Sequence, residues 1–479
     1  MTLTRAWKVV LVTSAAVYLV ALDVTIVNIA FPDLAGSFPD TSPSTLAWVL
    51  SGYSIAFASS LLVAGRLADL YGRRRLFFAG LAVFSAASAA CGVAPTPALL
   101  IAGRVVQAVG GALLLPASLA LLLPEFPVTR RSAAIGIWGA VGGIAAATGP
   151  SLGSVLVDAA SWRAVFFVNV PVTLLAWLTG RRVLVESFER GAGRMPDVVG
   201  AVMGTTAVAS LTLGIIQGDD WGYTDGRVLG AFAAALILGP ALVVRSARRP
   251  APILDIDLFR RRFFTVANSA NFLFSMGFFA MLFVNINFLT RVWGYSVLAA
   301  GLAFTPGPLA AAAFAIPAGR LADRFGHARV FVPGSVLFSA GVAAYALALG
   351  VESNYWGLYF PLSLMIGSGV GLTIAPISAA ANAFLPSDRF ATGSAFHTTV
   401  RQVGAALGIA IVVAILGDAV GAAGLQARGP EAAMRVFDRA WAFIAISALA
   451  SGITMGALYR RPATLEPAPV PQAVSPRSS

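Results

Sequence analysis

The chain consists largely of long apolar segments, each about as long as a helix must be to cross a lipid bilayer. Fourteen such segments follow one another along the 479 residues, separated by short polar or charged stretches. A spanning helix needs about 20 mainly apolar residues, since the hydrocarbon layer is roughly 30 Å thick and a helix satisfies its backbone polar groups internally. We therefore predict an all-α polytopic membrane protein with fourteen transmembrane helices, at residues 9–31, 47–64, 77–94, 98–123, 134–157, 164–183, 198–217, 228–245, 264–290, 297–318, 330–350, 358–384, 391–417 and 440–459.

The placement of the basic residues predicts how the chain sits in the membrane. A net charge of +12 would suggest nucleic acid in a soluble protein, but here 58% of the residues are apolar and only 11% are charged. If the N-terminus is inside, most arginines fall in inward loops, including the runs Arg73–Arg75 and Arg260–Arg262. Cytoplasmic loops carry such an excess. We expect the protein to lie in a bacterial plasma membrane, in contact with lipid, with both termini in the cytoplasm. We do not expect it to bind nucleic acid.

Several chemistries lack the residues that they need. Lys8 is the only lysine, so the chain has no Gly-rich loop ending in Lys-Ser or Lys-Thr and hence no P-loop of its own. Two histidines, His327 and His397, and one cysteine, Cys91, cannot form a His/Cys zinc site. We expect neither an enzyme nor a metal site nor a bound cofactor.

One pentapeptide occurs twice and indicates two similar halves. Gly-Arg-Leu-Ala-Asp stands at Gly65–Asp69 and again at Gly319–Asp323, and each copy is expected to close an apolar segment with a short charged turn. Such duplication is typical of transporters whose binding site lies between two halves. We predict a six-helix bundle at residues 1–190, two inserted membrane helices with linkers at 191–250, a second six-helix bundle at 251–460, and a disordered cytoplasmic tail at 461–479.

Four motifs in this order resemble those of a known transporter family. Residues 65–75 resemble the loop after the second span of the major facilitator superfamily, 99–114 its fourth-span motif and 139–153 its fifth-span antiporter motif. With residues 22–32 and the six-two-six plan, the chain resembles the fourteen-span drug:proton antiporter branch. The resemblance implies the major facilitator fold and alternating access. It also implies export of hydrophobic drugs or antibiotics in exchange for protons, driven by the proton gradient alone.

Asp23 is the only one of the 21 acidic residues well inside a predicted segment. A carboxylate in hydrocarbon is costly unless it meets water or a partner, so it is a functional candidate. At 1.5 Å per residue, Asp23 lies roughly 12 Å and Arg104 roughly 9 Å from the outer ends of their segments. We expect the two to meet, with Asp23 exchanging protons and Arg104 biasing its charge. The alternative is a static ion pair.

Other polar residues at helical spacing are candidates for lining a central cavity. Arg104 and Gln107 share one helix face, as do Asn268 and Asn271 in the ninth segment. Packing faces, hydrogen bonds between helices and a satisfied core histidine are the alternatives. The candidates for the cavity lining are Asn28, Gln107, Asn268, Asn271, His397 and Arg401.

The repeated pentapeptide is expected to act as a conformational gate. A carboxylate at the membrane edge can cap a helix N-terminus or pair with arginines, and breaking such contacts lets the halves rock apart. The resemblance assigns this gate to Gly65, Asp69, Gly72 and Arg73. Gly319 and Asp323 form the second copy, expected to be weaker because His327-Ala328-Arg329 replaces the arginine run. The fifth segment is a candidate hinge or seal, with Gly143, Gly149, Pro150 and Gly153.

The substrate is expected to be hydrophobic and to carry few positive charges. A single intramembrane acid shared with Arg104 argues against a dication, and a neutral, monocationic or weakly acidic antibiotic or lipid-like metabolite fits better. Two alternatives remain: proton-coupled uptake of a nutrient, and a membrane receptor or scaffold. Compound accumulation with and without a collapsed proton gradient would separate them.

Overall fold

The chain folds into long helices that run back and forth between two ends of the molecule. The computed structural model describes residues 4–41, 43–187, 197–249, 252, 254–386, 389–416 and 430–460, and it contains no strand within them. The first six long helices are α1 Arg5–Ser37, α2 Pro43–Tyr71, α3 Arg73–Gly92, α4 Pro97–Leu122, α5 Arg131–Ala159, and α6, which has two segments, Ala164–Phe167 and Asn169–Val183.

Eight further long helices complete the described chain. They are α7 Val198–Trp221, α8 Gly226–Arg248, α9 Arg262–Arg291, α10 with segments Val297–Phe304 and Pro306–Phe325, α11 His327–Ala348, α12 Phe360–Asn382 after a π-helical turn Tyr355–Tyr359, α13 Phe390–Leu416, and α14 Pro430–Leu458. A short helix, Ile256–Arg260, precedes α9. Thirteen helices in the described ranges are long and apolar enough to span a membrane, and α5 adds a helix of 29 residues. The predicted all-α membrane architecture is confirmed. The predicted tail, 461–479, lies outside the described residues.

The predicted turn at the repeated pentapeptide is wrong, because both copies are helical. Gly65–Asp69 lies inside α2 and Gly319–Asp323 inside α10. After each copy the chain turns three residues later, at Gly72 and Gly326, where φ is +111° and +99°. Such angles are open to glycine because it has no Cβ. Charged residues at a helix end therefore continued the helix, and the next glycine ended it.

The long helices form two bundles of six. In the first bundle α3 packs on α4, α1 on α5 and α2 on α4; in the second, α11 packs on α12 and α14, and α9 on α14. The bundles meet where α5 contacts α10 and where α2 contacts α13. We call the end with the α2–α3 and α10–α11 turns the basic end. At this end, the hydrophobic core of the first bundle also includes Phe263, Phe264 and Phe390 of the second bundle.

The inserted pair lies against one of the two seams between the bundles. α7 packs on α8, α2 and α13, whereas α8 faces outwards with exposed side chains such as Leu236 and Ile237. Arg245 at the end of α8 donates to Asp197 before α7, with a shortest distance of 2.6 Å. This hydrogen bond holds the pKa of the Asp197 carboxyl below its ordinary value. The pair thus forms a hairpin that is closed at its basic end.

We expect Gly72→Ala to destabilise the protein more than Gly326→Ala. Both changes force a side chain into a positive-φ conformation, which costs about 1–3 kcal/mol. At Gly72 the new Cβ would also lie 2.7 Å from the Glu186 carboxylate, whereas nothing lies within 4 Å at Gly326. Glu186 cannot move freely, since it accepts from the Arg74 and Arg75 amides at 3.0 and 3.1 Å. Thermal unfolding of both variants in detergent tests this; equal losses would contradict it.

Candidate functional site

A buried ion pair lies inside the first bundle. Arg104 of α4 donates from Nη1 to Asp23 Oδ2 of α1 at 2.6 Å, and the side chains are only 1% and 0% exposed. Gln107 donates from Nε2 to Asp23 Oδ1 at 2.8 Å and accepts from Arg104 Nη1 at 2.7 Å. The structure therefore brings Asp23, Arg104 and Gln107 together. The sequence had paired the first two by their depth in the membrane and the last two by their helical spacing.

Four further groups complete this polar cluster, and sequence reasoning placed none of them at Asp23. Arg104 Nε donates to the Val49 carbonyl at 3.1 Å, and its guanidinium carbon lies 4.0 Å from the centre of the Tyr53 ring. Asn169 Nδ2 lies 3.0 Å from Ser88 Oγ and 3.4 Å from Asp23 Oδ1. Asn169 is the only amide in the segment 164–183, which was the available signal.

The cluster balances its charges without water-exposed partners. Asp23 contributes one negative charge and Arg104 one positive charge, and neutral amides and hydroxyls occupy the remaining positions. Removing one partner of such a pair leaves an uncompensated buried charge, which costs about 3–5 kcal/mol. Separating Asp23 from Arg104 therefore requires that each charge gains another partner.

The first pentapeptide joins the bundles at the basic end. Asp69 of α2 accepts from the backbone amides of Ala391 and Thr392 at the start of α13, at 3.3 and 2.8 Å, and from the Thr392 hydroxyl at 2.9 Å. Arg73 donates to the same carboxylate at 2.8 Å. Amides in the first turn of a helix have no partner within that helix and favour an anion. Asp69 supplies it from the opposite bundle.

The second pentapeptide repeats this contact in the other direction. Asp323 of α10 accepts from the backbone amides of Ser132 and Ala133 at the start of α5, at 3.1 and 3.0 Å. His327, which occupies the position of Arg73, has its Nε2 3.0 Å from the Ser132 hydroxyl. Each bundle thus places a carboxylate on a helix N-terminus of the other.

Glycine allows both contacts by letting the helices touch. A Cβ at Gly65 would lie 2.7 Å from the Ala391 carbonyl oxygen, and one at Gly319 would lie 2.8 Å from Ala133 Cα. Backbone atoms cannot move aside cheaply, so only glycine fits here. Arg131, which sequence reasoning also missed, adds a third bond between the bundles to the Ala383 carbonyl at 2.7 Å.

A cavity of about 580 Å³ lies between the bundles, towards the end opposite the basic one. The first bundle contributes small or polar residues, among them Asn28, Gly139 and Gly143, and the second contributes aromatic and aliphatic ones, among them Phe278 and Tyr359. None of the described residues that line it is charged. The space therefore suits an uncharged, largely apolar molecule.

The other cavity candidates lie elsewhere, except Asn28, which lines the cavity. His397 Nδ1 donates to Asn268 Oδ1 at 3.0 Å, Asn271 donates to the His397 carbonyl at 2.9 Å, and Ser378 Oγ lies 3.1 Å from His397 Nε2. These bonds join α9, α12 and α13. Gln107 belongs to the Asp23 cluster. Arg401 lies one turn beyond His397, and its buried Nε has no partner among the described residues.

The hinge candidates divide between two surfaces of α5. Gly143 lines the cavity and faces Ala312 of α10, whereas Gly149 packs against Thr25 of α1 without room for a side chain. Gly153 is buried in the same helix, which contains Pro150 and runs without a break from Arg131 to Ala159. The Pro150 side chain lies outside the described atoms.

Comparison with known proteins identifies the family. Residues 13–409 and 267–478 match the family described as the Major Facilitator Superfamily. The chain belongs to the major facilitator superfamily. The multidrug resistance protein Stp of Mycobacterium tuberculosis is 32% identical over 406 residues, which are 84% of this chain and 74% of that protein. The tetracenomycin C resistance and export protein of Streptomyces glaucescens is 32% identical over 457 residues, 91% of this chain and 82% of that protein.

Solved structures of the superfamily share this fold. The proton:xylose symporter XylE matches with a TM-score of 0.65 at 13% identity, over 95% of this chain and 96% of that chain. At that identity the match shows the fold alone. The proteins of this superfamily are multi-pass membrane transporters, which are not enzymes, and they generally need no cofactor.

We expect Asp69→Asn to open the basic end of this superfamily transporter. Hydrogen bonds to a charged group contribute about 1.5–3 kcal/mol. Losing the charge should therefore shift the equilibrium between the closed and the open basic end towards the open state by about tenfold or more. The reporter is Ser394→Cys on α13, which is 2% exposed, in a Cys91→Ser background. Its rate of modification by a water-soluble maleimide should rise.

The control is Asp225→Asn. Asp225 also accepts from a helix N-terminal amide and pairs with an arginine, but its partner for both, Arg227, lies in the same hairpin. Its loss should leave the reporter unchanged. An unchanged rate in Asp69→Asn would contradict a gate at this position.

Proposed function

We propose that the protein is a proton-coupled exporter of hydrophobic small molecules that works by alternating access. The observation that carries this proposal is the contrast between the two ends. Two crossed carboxylate contacts close the basic end, and an uncharged cavity lies between the bundles towards the other. Relatives named for multidrug resistance and antibiotic export support export rather than uptake.

The basic end is proposed to face the cytoplasm. It carries Arg73–Arg75 and both described termini, at Thr4 and Arg460, and positive loops are retained on that side. With this orientation in a bacterial plasma membrane, the structure is a state closed to the cytoplasm. Substrate would leave the cavity outwards from it, and the gate contacts must break before the next molecule enters.

Helix α1 is proposed to couple the proton to the substrate. Asp23 lies in the buried cluster, whereas Thr25 and Asn28, two and five residues further on, line the cavity. Protonation of Asp23 removes its attraction for Arg104, so the contacts between α1 and α4 weaken. Since Thr25 also packs against Gly149 of α5, a movement of α1 reaches the helix that Asp323 holds.

The remaining parts of the chain take roles that follow from their contacts. The division into residues 1–190, 191–250, 251–460 and 461–479 remains our proposal for its units. Gly65, Asp69, Gly72, Arg73, Gly319 and Asp323 would form the gate. Gly143, Gly149, Pro150 and Gly153 remain our candidates for a hinge or seal in α5, of which Gly143 faces α10 of the second bundle and Gly149 packs against α1 within the first. The proton gradient would be the only energy source.

Asp23→Asn should lower proton exchange at least tenfold, and because it also leaves the buried Arg104 charge without its anionic partner, thermal unfolding of the variant is measured alongside. The amide keeps the shape and can still accept from Arg104 but cannot take up a proton. We expect at least a tenfold lower proton flux in pyranine-loaded proteoliposomes challenged with neutral, cationic and anionic hydrophobic antibiotics, roughly 1.4 kcal/mol or more in barrier height. Asp225→Asn is the matched control.

Three results would decide against this proposal. If no compound causes a proton flux in the wild type, the protein is not a proton antiporter for such compounds. If Asp23→Asn retains the full flux, the Asp23–Arg104 pair is structural. A flux of protons in the same direction as the compound would indicate uptake.

A further inference from the structure

A second hollow, separate from the central cavity, lies on the second bundle. It is a groove of about 370 Å³, and it shares no lining residue with the central cavity. Two of the residues that line it, Thr265 and Ser269, are exposed. The others are Phe259, Asn268, Phe272, Leu273 and Phe396. In α9 the lining residues recur every three or four positions from Thr265 to Leu273, so the groove follows the helix for roughly 12 Å.

The surface that this groove offers to a ligand is mainly apolar. Thr265 Oγ1 donates to the Phe259 carbonyl at 2.7 Å. Asn268 Nδ2 donates to the Phe264 carbonyl at 2.8 Å, and Asn268 Oδ1 lies 3.0 Å from His397 Nδ1. Two of the three polar side chains in the lining are therefore already engaged within the protein. The remaining surface favours a hydrocarbon chain, because apolar area gains free energy when it is removed from water.

The walls of the groove come from two different parts of the chain. Phe259 belongs to the short helix Ile256–Arg260, and its ring centre lies 4.8 Å from that of Phe396 in α13, with the planes at 84°. Phe396 also packs against the cluster of Leu62, Leu242 and Leu254, to which the inserted pair contributes Leu242. The groove thus lies near the place where the inserted pair meets the second bundle.

Two arginines stand at the basic end of the groove. The Thr265 amide donates to the Arg261 carbonyl at 3.2 Å, which puts Arg261 one helical turn before the first lining residue of α9. Arg262 begins α9, and its Nε donates to the Leu458 carbonyl of α14 at 2.9 Å. Both arginines are exposed, and side chains on a helix lean towards its N-terminus. Their charges therefore lie at the membrane edge, just beyond the groove.

Neither arginine forms an ion pair with an acidic side chain in the part of the chain that the structure describes. The two acidic residues that precede them already have cationic partners. Asp255 pairs with Arg389 at 2.8 Å, and Asp257 lies 3.6 Å from Arg260. Uncompensated arginines at a membrane edge attract anionic lipid headgroups.

We propose that the groove binds one acyl chain of an anionic phospholipid whose headgroup is held by Arg261 and Arg262. An apolar groove that begins beside two uncompensated arginines matches a molecule in which a hydrocarbon chain is joined to a negative charge. The arginines select the headgroup, and Phe259 and Phe396 contact the chain. This site goes beyond the proposed function, since lipid binding here depends neither on the transported compound nor on the direction of transport.

Lipid binding to the delipidated full-length protein in a nonionic detergent tests the proposal. The probes are dioleoylphosphatidylglycerol and dioleoylphosphatidylcholine, which have the same chains, and native mass spectrometry counts the lipids bound. For the first lipid we expect phosphatidylglycerol to bind at least about tenfold more tightly, which corresponds to about 1.4 kcal/mol. Equal affinities would overturn the proposal. Inorganic phosphate at the same concentration should not displace the lipid, and displacement would show a phosphate site instead.

The double variant Arg261→Gln/Arg262→Gln tests the headgroup contact. It should reduce the preference for phosphatidylglycerol to about twofold or less. The matched control is Arg181→Gln/Arg182→Gln, which removes two neighbouring exposed arginines from the end of α6. The control should keep the preference. An equal loss in both variants would show that the preference follows net charge alone, and the assignment to the groove would fail.

The variant Ser269→Trp tests the chain contact. Ser269 is exposed, so an indole can occupy the groove without entering the core. Affinity for phosphatidylglycerol should fall about tenfold, whereas Ala233→Trp on the exposed face of α8 should leave it unchanged. An unchanged affinity in Ser269→Trp would overturn the proposal. If this variant instead loses binding of the hydrophobic dye Nile red and keeps the lipid, the groove holds small hydrophobic compounds and the proposal also fails. The comparison of the two lipids on the wild type stands even if a variant does not fold.

Discussion

The structure depends on a contact in which a carboxylate of one bundle satisfies the helix N-terminus of the other. The first amides of α13 and α5 have no acceptor within their own helices, and in a membrane protein few waters are available to supply one. Asp69 and Asp323 supply the acceptors. The two contacts run in opposite directions. Each bundle therefore donates one carboxylate to the other, and the pair of contacts has approximate twofold symmetry. They close the basic end and leave the cavity at the other.

The same constraint explains the cluster around Asp23. A charge within the hydrocarbon thickness must be paired, and Arg104, Gln107 and Asn169 surround this carboxylate with donors. The proposed gate and the proposed proton site therefore rest on similar chemistry at different depths. One carboxylate meets backbone amides across a seam, and the other meets side chains within a bundle. Protonation of either carboxylate would weaken the hydrogen bonds that its neighbours donate to it.

Much of this arrangement could be predicted from the order of the residues. Helix number and type followed from segment length, and the meeting of Asp23 with Arg104 followed from matched depths, because both reflect the thickness of the bilayer. The turn predicted within Gly65–Asp69 was wrong, since charge at a membrane edge does not end a helix. Val49, Ser88 and Asn169 were missed because a carbonyl, a hydroxyl or a single amide gains its role only from its neighbours.

The order of the residues alone specifies a membrane bundle of helices with one acidic residue well inside a predicted span and a duplicated edge motif, because hydrophobic length and charge are local properties. Only the tertiary structure decided what each polar face meets. Asn28 borders the cavity, whereas Asn268 and Asn271 bind the segment around His397, although all are amides on helix faces. Helical spacing states which residues share a face, but the packing of other helices decides whether that face meets a cavity, a partner or lipid.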